Sequence, residues 1–199
     1  MKIEQDLKLD FQDVLIRPKR SNLSSRKEVN LIREFTFPYS KKKWKGIPLM
    51  TANMDTVGTF AMYNELSKHK IITCFHKHYN VKDFESIDLD KDYYMLSTGI
   101  TDNDWNKIQL LIEKLDPNFV CIDVANGYMD SLIKFVNKFR SKYPNITLVC
   151  GNVVSREMVE ELILNCKVDI VKVGIGNGSV CTTRLQTGVG MPQLSAINE

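Results

Sequence analysis

The chain has 199 residues, 43% hydrophobic and 26% charged, which is the balance of one globular domain and excludes a fibrous or disordered polymer. A net charge of +3, from 27 basic and 24 acidic side chains, is too small to mark a nucleic-acid binder, so no specific nucleic-acid partner is expected. No apolar run reaches the ~18 residues of a membrane span, and the start lacks a signal-peptide core. Cys74, Cys121, Cys150, Cys166 and Cys181 are too scattered for a zinc or disulfide framework, so a cytoplasmic protein with free thiols is expected.

A polar, basic arm and lead-in over residues 1–45 opens the chain, with charge clusters at Arg17-Pro18-Lys19-Arg20 and Lys41-Lys42-Lys43-Trp44-Lys45. The second cluster reads as a solvated face. Short runs rich in Val, Ile and aromatics then recur at 47–50, 71–75, 93–96, 119–122, 146–150 and 169–173, and read as buried strands. Between them lies helical periodicity, clearest over 104–115 and 131–139, with Pro117 and Pro144 as stops.

Strand and helix alternate every ~25 residues, the signature of βαβ units around a parallel sheet. Periodicity leaves the sheet open or closed: six strands suit a doubly wound sheet, whereas an eight-stranded barrel usually needs about 250 residues. No linker or low-complexity tract interrupts the pattern, so the chain reads as a single domain.

The chemistry concentrates in Val173-Gly174-Ile175-Gly176-Asn177-Gly178-Ser179-Val180-Cys181-Thr182-Thr183-Arg184, which leaves the last expected strand. Glycines at alternate positions let main chain approach a ligand closely, and the spacing is not the dinucleotide fingerprint G-x-G-x-x-G. Cys181 sits just beyond a strand's carboxyl end, where barrel enzymes carry reactive groups, and Arg184 would favour its thiolate. The other four cysteines read as inert and buried. Asp123, at the end of 119–122, reads as a site residue. His76 and His78 bracket Lys77; a metal pair would need a third ligand, and Lys77 is the stronger candidate.

Gly174 to Arg184, continued by Thr187-Gly188-Val189-Gly190-Met191-Pro192-Gln193-Leu194-Ser195-Ala196, resembles the catalytic loop shared by GMP reductases and IMP dehydrogenases. Leu9-Asp10-Phe11-Gln12-Asp13-Val14-Leu15-Ile16-Arg17-Pro18-Lys19-Arg20-Ser21, Ala52-Asn53-Met54-Asp55-Thr56-Val57-Gly58-Thr59 and Asp123-Val124-Ala125-Asn126-Gly127 resemble the same superfamily, in the same order. The Arg-Pro-Lys-Arg-Ser arm, His76-Lys77-His78-Tyr79, and the direct passage from second to third strand favour the reductase. The implied fold is α/β, a TIM (β/α)8 barrel with about six of its eight units present. Units 1–6 would occupy 46–199, with the catalytic loop at 174–190.

The resemblance implies that Cys181 attacks C2 of GMP to form a thioimidate, with Thr183 in the proton relay and NADPH as hydride donor, giving IMP and ammonia. It implies a cofactor site of Lys77, Asp123, Val124, Ala125, Ile175 and Gly176, completed by Ser25 and Arg26 from a neighbouring subunit of a homo-oligomer, usually a tetramer. It also implies a potassium site of main-chain carbonyls from Gly176, Gly178 and Cys181 with Arg184, although Asn177 stands where the family usually has proline or serine. The family's partner glutamate and its phosphate-binding glycine segments would follow Glu199, so a truncated member is expected. An IMP dehydrogenase, or a non-catalytic remnant that associates with full-length subunits, is the alternative.

Overall fold

The computed structural model describes Ile3 and residues 5–199. Strands β1 (Arg33–Thr36) and β2 (Lys43–Gly46) form an antiparallel hairpin. Helix α1 (Phe60–Leu66) and strand β3 (Thr73–Cys74) follow, then β4 (Tyr94–Thr98), α2 (Asp102–Leu115), β5 (Phe119–Asp123) and α3 (Asp130–Lys142). Next come β6 (Thr147–Val153), α4 (Arg156–Glu160) running into a π turn at Glu161–Asn165, and β7 (Ile170–Val173). Helices α5 (Thr183–Thr187) and α6 (Gln193–Asn198) complete the described chain.

Strands β3 to β7 make a five-stranded sheet in sequential order, every pair parallel. A doubly wound sheet reverses its strand order at a switch point, whereas a barrel wall advances one strand at a time. The sheet is therefore a parallel half-barrel.

Two sequence expectations differ from what is observed. The run 47–50 makes one parallel bridge, Met50 to Ile72, instead of a strand. Pro48 has no amide hydrogen to give to a ladder, and Leu49 and Met50 lie exposed at the sheet's open edge. The expected six units are thus five strands and a bridge. The lysine cluster, expected as a solvated face, contributes Lys43, Trp44 and Lys45 to β2; Lys43 and Lys45 are exposed while Trp44 is buried. The Trp44 indole donates to Asp92 O at 2.7 Å, and Phe37 meets Phe119 edge-on, so the hairpin closes the amino end of the sheet's inner face.

Both faces of the sheet are covered, which is why β4 is buried along its whole length. Alternate residues separate into two cores. Val120, Ile122, Leu148 and Cys150 pack outward against Ile108, Leu111, Val136 and Phe139 of the helices. Cys74, Met95, Phe119, Cys121 and Val149 pack inward with Phe37 and Trp44. Helix α2 starts in a capping box, Thr101 with Asp104, and presents Trp105, Ile108, Leu111 and Ile112 on one buried stripe.

At the amino end Asp169 joins hairpin to sheet. Its Oδ1 accepts from Tyr39 N (2.9 Å) and Ser40 N (3.1 Å), and its Oδ2 from Arg140 Nη2 (2.8 Å) and Leu148 N (3.0 Å). The carboxylate is fully buried, so these donors replace the water that burial removed.

Candidate active site

The carboxyl ends of the strands carry the polar counterpart of this base. Asp123 of β5 pairs in register with Gly151 of β6, which pairs with Lys172 of β7. These residues share one layer above the inward core. Lys172 Nζ donates to Asp123 Oδ1 at 2.5 Å and to Asn53 Oδ1 at 3.0 Å, while Asn53 Nδ2 donates to Asp123 Oδ2 at 2.8 Å. The contact across the middle strand requires a glycine: a Cβ on Gly151 would lie 2.6 Å from the Lys172 Cβ. Burial disfavours the ammonium of Lys172, but Cys121, the Asp123 carboxylate and its hydrogen bond outweigh that and raise its pKa.

The loop after β7 folds back on its own root. Gly174 N donates to Val153 O (2.8 Å), Asn152 Nδ2 to Gly174 O (3.0 Å), and Met191 N to Ile175 O (3.0 Å). Gly176 has φ 66°, and a Cβ there would stand 2.7 Å from Val189 O, so backbone freedom and close approach both demand glycine. Gln193 Nε2 donates to Val173 O at 2.9 Å, fixing α6 to the end of β7. The amino-terminal segment reaches the same helix: Leu9 N donates to Ser195 Oγ (2.8 Å) and Ser195 N to Leu9 O (3.1 Å).

On this loop Cys181 stands half-exposed, whereas the other four thiols are buried. Hydrogen bonds from the Thr183 hydroxyl and amide outweigh a small burial cost and hold the thiol below its ordinary value of 9.0; the Arg184 amide and charge add to them. A hydrogen-bonded Cys74 pairs with Cys121 and is pushed well up, burial pushes Cys150 up, and burial raises Cys166 to about 11. Cys181 is thus the thiol with both access and a stabilised anion.

A slot of about 430 Å³ lies beside the loop, walled by Ala125, Val154, Ile175 and Val189, with Asn126 and Thr183 as polar members. Apolar walls with a few polar groups suit a flat heteroaromatic ring. Two buried acceptors near the root of the loop, Asn152 Oδ1 and Gln193 Oε1, have no hydrogen-bond partner among the described residues.

Of the residues expected in the site, Ala125, Ile175 and Thr183 meet at this slot, and Asp123 lies in the layer with Lys172. Val124 N donates to Gly151 O at 2.9 Å. Lys77 is exposed, its carbonyl held by Lys107 Nζ at 2.7 Å. His76 stacks on Tyr79 with ring centroids 3.9 Å apart; among the described residues no three His, Cys, Asp or Glu side chains gather to hold a metal. Ser25 caps a short turn by accepting from Lys27 N at 3.3 Å, and no hydrogen bond or ion pair among the described residues ties Ser25 or Arg26 to the strand ends. Gly178 O accepts from Cys181 N, and Arg184 O from Gly188 N, each at 3.0 Å, leaving each carbonyl a second lone pair.

Sequence reasoning missed Lys172, Asn53 and Asn152 as site members. Lys172 carried a usable signal, a single charge inside an otherwise apolar strand. The pairing of Asn53 with it spans 119 residues and left no local trace.

A parallel half-barrel with a thiol-bearing, glycine-rich loop at the carboxyl ends of its strands defines an α/β-barrel protein whose site is built on the strand ends. The family profile described as IMP dehydrogenase / GMP reductase domain matches residues 8–199, and the chain belongs to that family. It is 55% identical over 206 residues to a GMP reductase of Enterobacter sp. (strain 638), and 55% identical over 207 residues to one of Escherichia coli (strain K12 / DH10B). In both comparisons the whole chain aligns but spans 59% of the relative's length. Among solved structures it resembles inosine 5' monophosphate dehydrogenase from Legionella pneumophila, with TM-score 0.81 and 28% identity over 97% of this chain and 58% of that one. Among the described residues no helix is long and apolar enough to cross a membrane.

Proposed function

We propose that this chain carries the nucleophile-bearing part of a GMP reductase, converting GMP to IMP and ammonia with NADPH as reductant. The observation that supports this most is the half-exposed Cys181 thiol, held below its ordinary pKa by Thr183, which lines the slot, and by Arg184. In this reading the thiolate adds to C2 of the purine, the C2–N bond breaks, and ammonia leaves to give a thioimidate on Cys181. Thr183 relays the proton the departing nitrogen needs. Bound NADPH would supply a hydride for C2, after which the thiolate departs and IMP is released.

Asp123, Val124, Ala125, Ile175 and Gly176 would hold the nicotinamide end of the cofactor, and Lys77 its phosphates. Ser25 and Arg26, lying on an exposed arm, would reach the site of an adjacent subunit in a homotetramer of a complete (β/α)8 barrel. Carbonyls of Gly176, Gly178 and Cys181 with Arg184 would bind potassium. The setting would be the cytoplasm.

IMP dehydrogenase is the second reading, favoured by the structural likeness to the Legionella enzyme. One assay separates them: the protein expressed from its complete gene is given GMP with NADPH, or IMP with NAD, and absorbance at the reduced-nicotinamide band is followed. Loss of absorbance in the first mixture alone supports the reductase; a gain in the second alone replaces it with the dehydrogenase.

A further inference from the structure

We propose that Lys172 is a positioning residue of the cofactor site: reaching over Gly151, it holds the Asp123 carboxylate, together with Asn53, in the one orientation that receives the dinucleotide. The proposal rests on the reading of Asp123 as a cofactor ligand.

The geometry is a closed ring. Lys172 donates to both Asp123 and Asn53, and Asn53 donates back to Asp123, so each carboxylate oxygen is anchored by a different donor. A carboxylate offers about four lone-pair sites, and two anchors leave the others for hydroxyl or amide donors of a ligand. Rotation of Asp123 away from such donors would break at least one bond of the ring.

The molecule contains a second buried ion pair for comparison. Arg140 and Asp169, at the amino end, have side chains 9% and 0% exposed, as expected of a pair that only joins elements. Lys172 and Asp123 remain 32% and 29% exposed, at the end where the thiol loop stands. A lysine inside a strand of β-branched residues is costly to bury, and the chain has paired it without sealing it. A glycine in the intervening strand is what permits the contact.

The titratable groups facing Asp123 are Lys172 from β7, Cys74 from β3, Cys121 from β5 and Cys150 from β6. Cys74 and Cys150 are pushed upward and stay neutral near pH 7, so Lys172 supplies the balancing charge. Without it the Asp123 carboxylate would be held by Asn53 alone, through Oδ2, and free to turn its other oxygen away from the ligand.

The test uses steady-state kinetics of the protein from its complete gene, with Lys172→Met, Lys172→Gln and Lys172→Arg. Melting curves first establish that each variant is folded; Gln serves if Met is not. The expected result for Met or Gln is a KM for NADPH raised about tenfold, with kcat within about threefold. Arg should restore the parent KM. A folded Met or Gln variant with the parent's KM overturns the proposal, as does a raised KM or a loss of kcat that Arg leaves unrescued. A parent that oxidises no NADPH with GMP, or in which Asp123→Ala leaves the KM for NADPH unchanged, overturns the cofactor reading itself and this proposal with it.

Discussion

Arg140 Nη2 lies 2.8 Å from Asp169 Oδ2 at the base of the half-barrel, and the same carboxylate takes the amides of Tyr39, Ser40 and Leu148. One side chain thus joins α3, the β1–β2 hairpin and two neighbouring strands.

Asp169→Asn leaves the Arg140 guanidinium buried without its counter-charge. The expected cost is about 3–5 kcal/mol, the usual penalty for breaking a buried pair on one side. Urea unfolding monitored by Trp44 and Trp105 fluorescence would measure it; a loss below about 1 kcal/mol would remove Asp169 from its role as the joint between hairpin and sheet.

Cys181 should be the first thiol to react with iodoacetamide. Its lowered pKa means that the reactive anion is present at lower pH than for an ordinary thiol, so the midpoint of the rate profile falls below 9.0. Thr183→Val removes the hydroxyl that contributes most, so the midpoint should move up and labelling near pH 7 should slow several-fold. Peptide mapping that finds Cys74, Cys150 or Cys166 labelled as fast would contradict the assignment.

Gly151→Val places a branched side chain where the Lys172 backbone and Cβ already stand. A cost of about 1–3 kcal/mol is expected from overpacking, with the Lys172–Asp123 contact forced apart. A crystal structure of the variant that retained that contact would show that the glycine is dispensable.

Helices α2 and α3 and most strands were legible because their signals are local. Helix α2 was read at 104–115 and spans Asp102–Leu115; the two residues added at its start follow the Thr101 capping box, which lies outside the apolar stripe. Strand β5 was read at 119–122 and ends one residue later, at Asp123. The hairpin was hidden because exposed lysines flank Trp44, so a period-two pattern resembled a charge cluster. The run 47–50 looked like a strand by composition, but Pro48 limits it to a bridge. Whether the sheet wound open or closed depended on which strands are neighbours, and spacing along the chain carries no record of that.

For the site, the thiol loop was legible as a motif. The ring of Asn53, Asp123 and Lys172 was not, because its members come from the segment before α1, from β5 and from β7. Only the register across Gly151 brings the last two together.

The central claim is a covalent bond between Cys181 and C2 of the purine. It is tested most directly by treating the protein from its complete gene with a 2-chloro analogue of IMP, in which chloride stands in for the departing ammonia, and mapping the adduct by peptide mass spectrometry. The account predicts one nucleotide on the peptide containing Cys181, blocked by GMP and absent from Cys181→Ser. A nucleotide on another residue, or none, would contradict it.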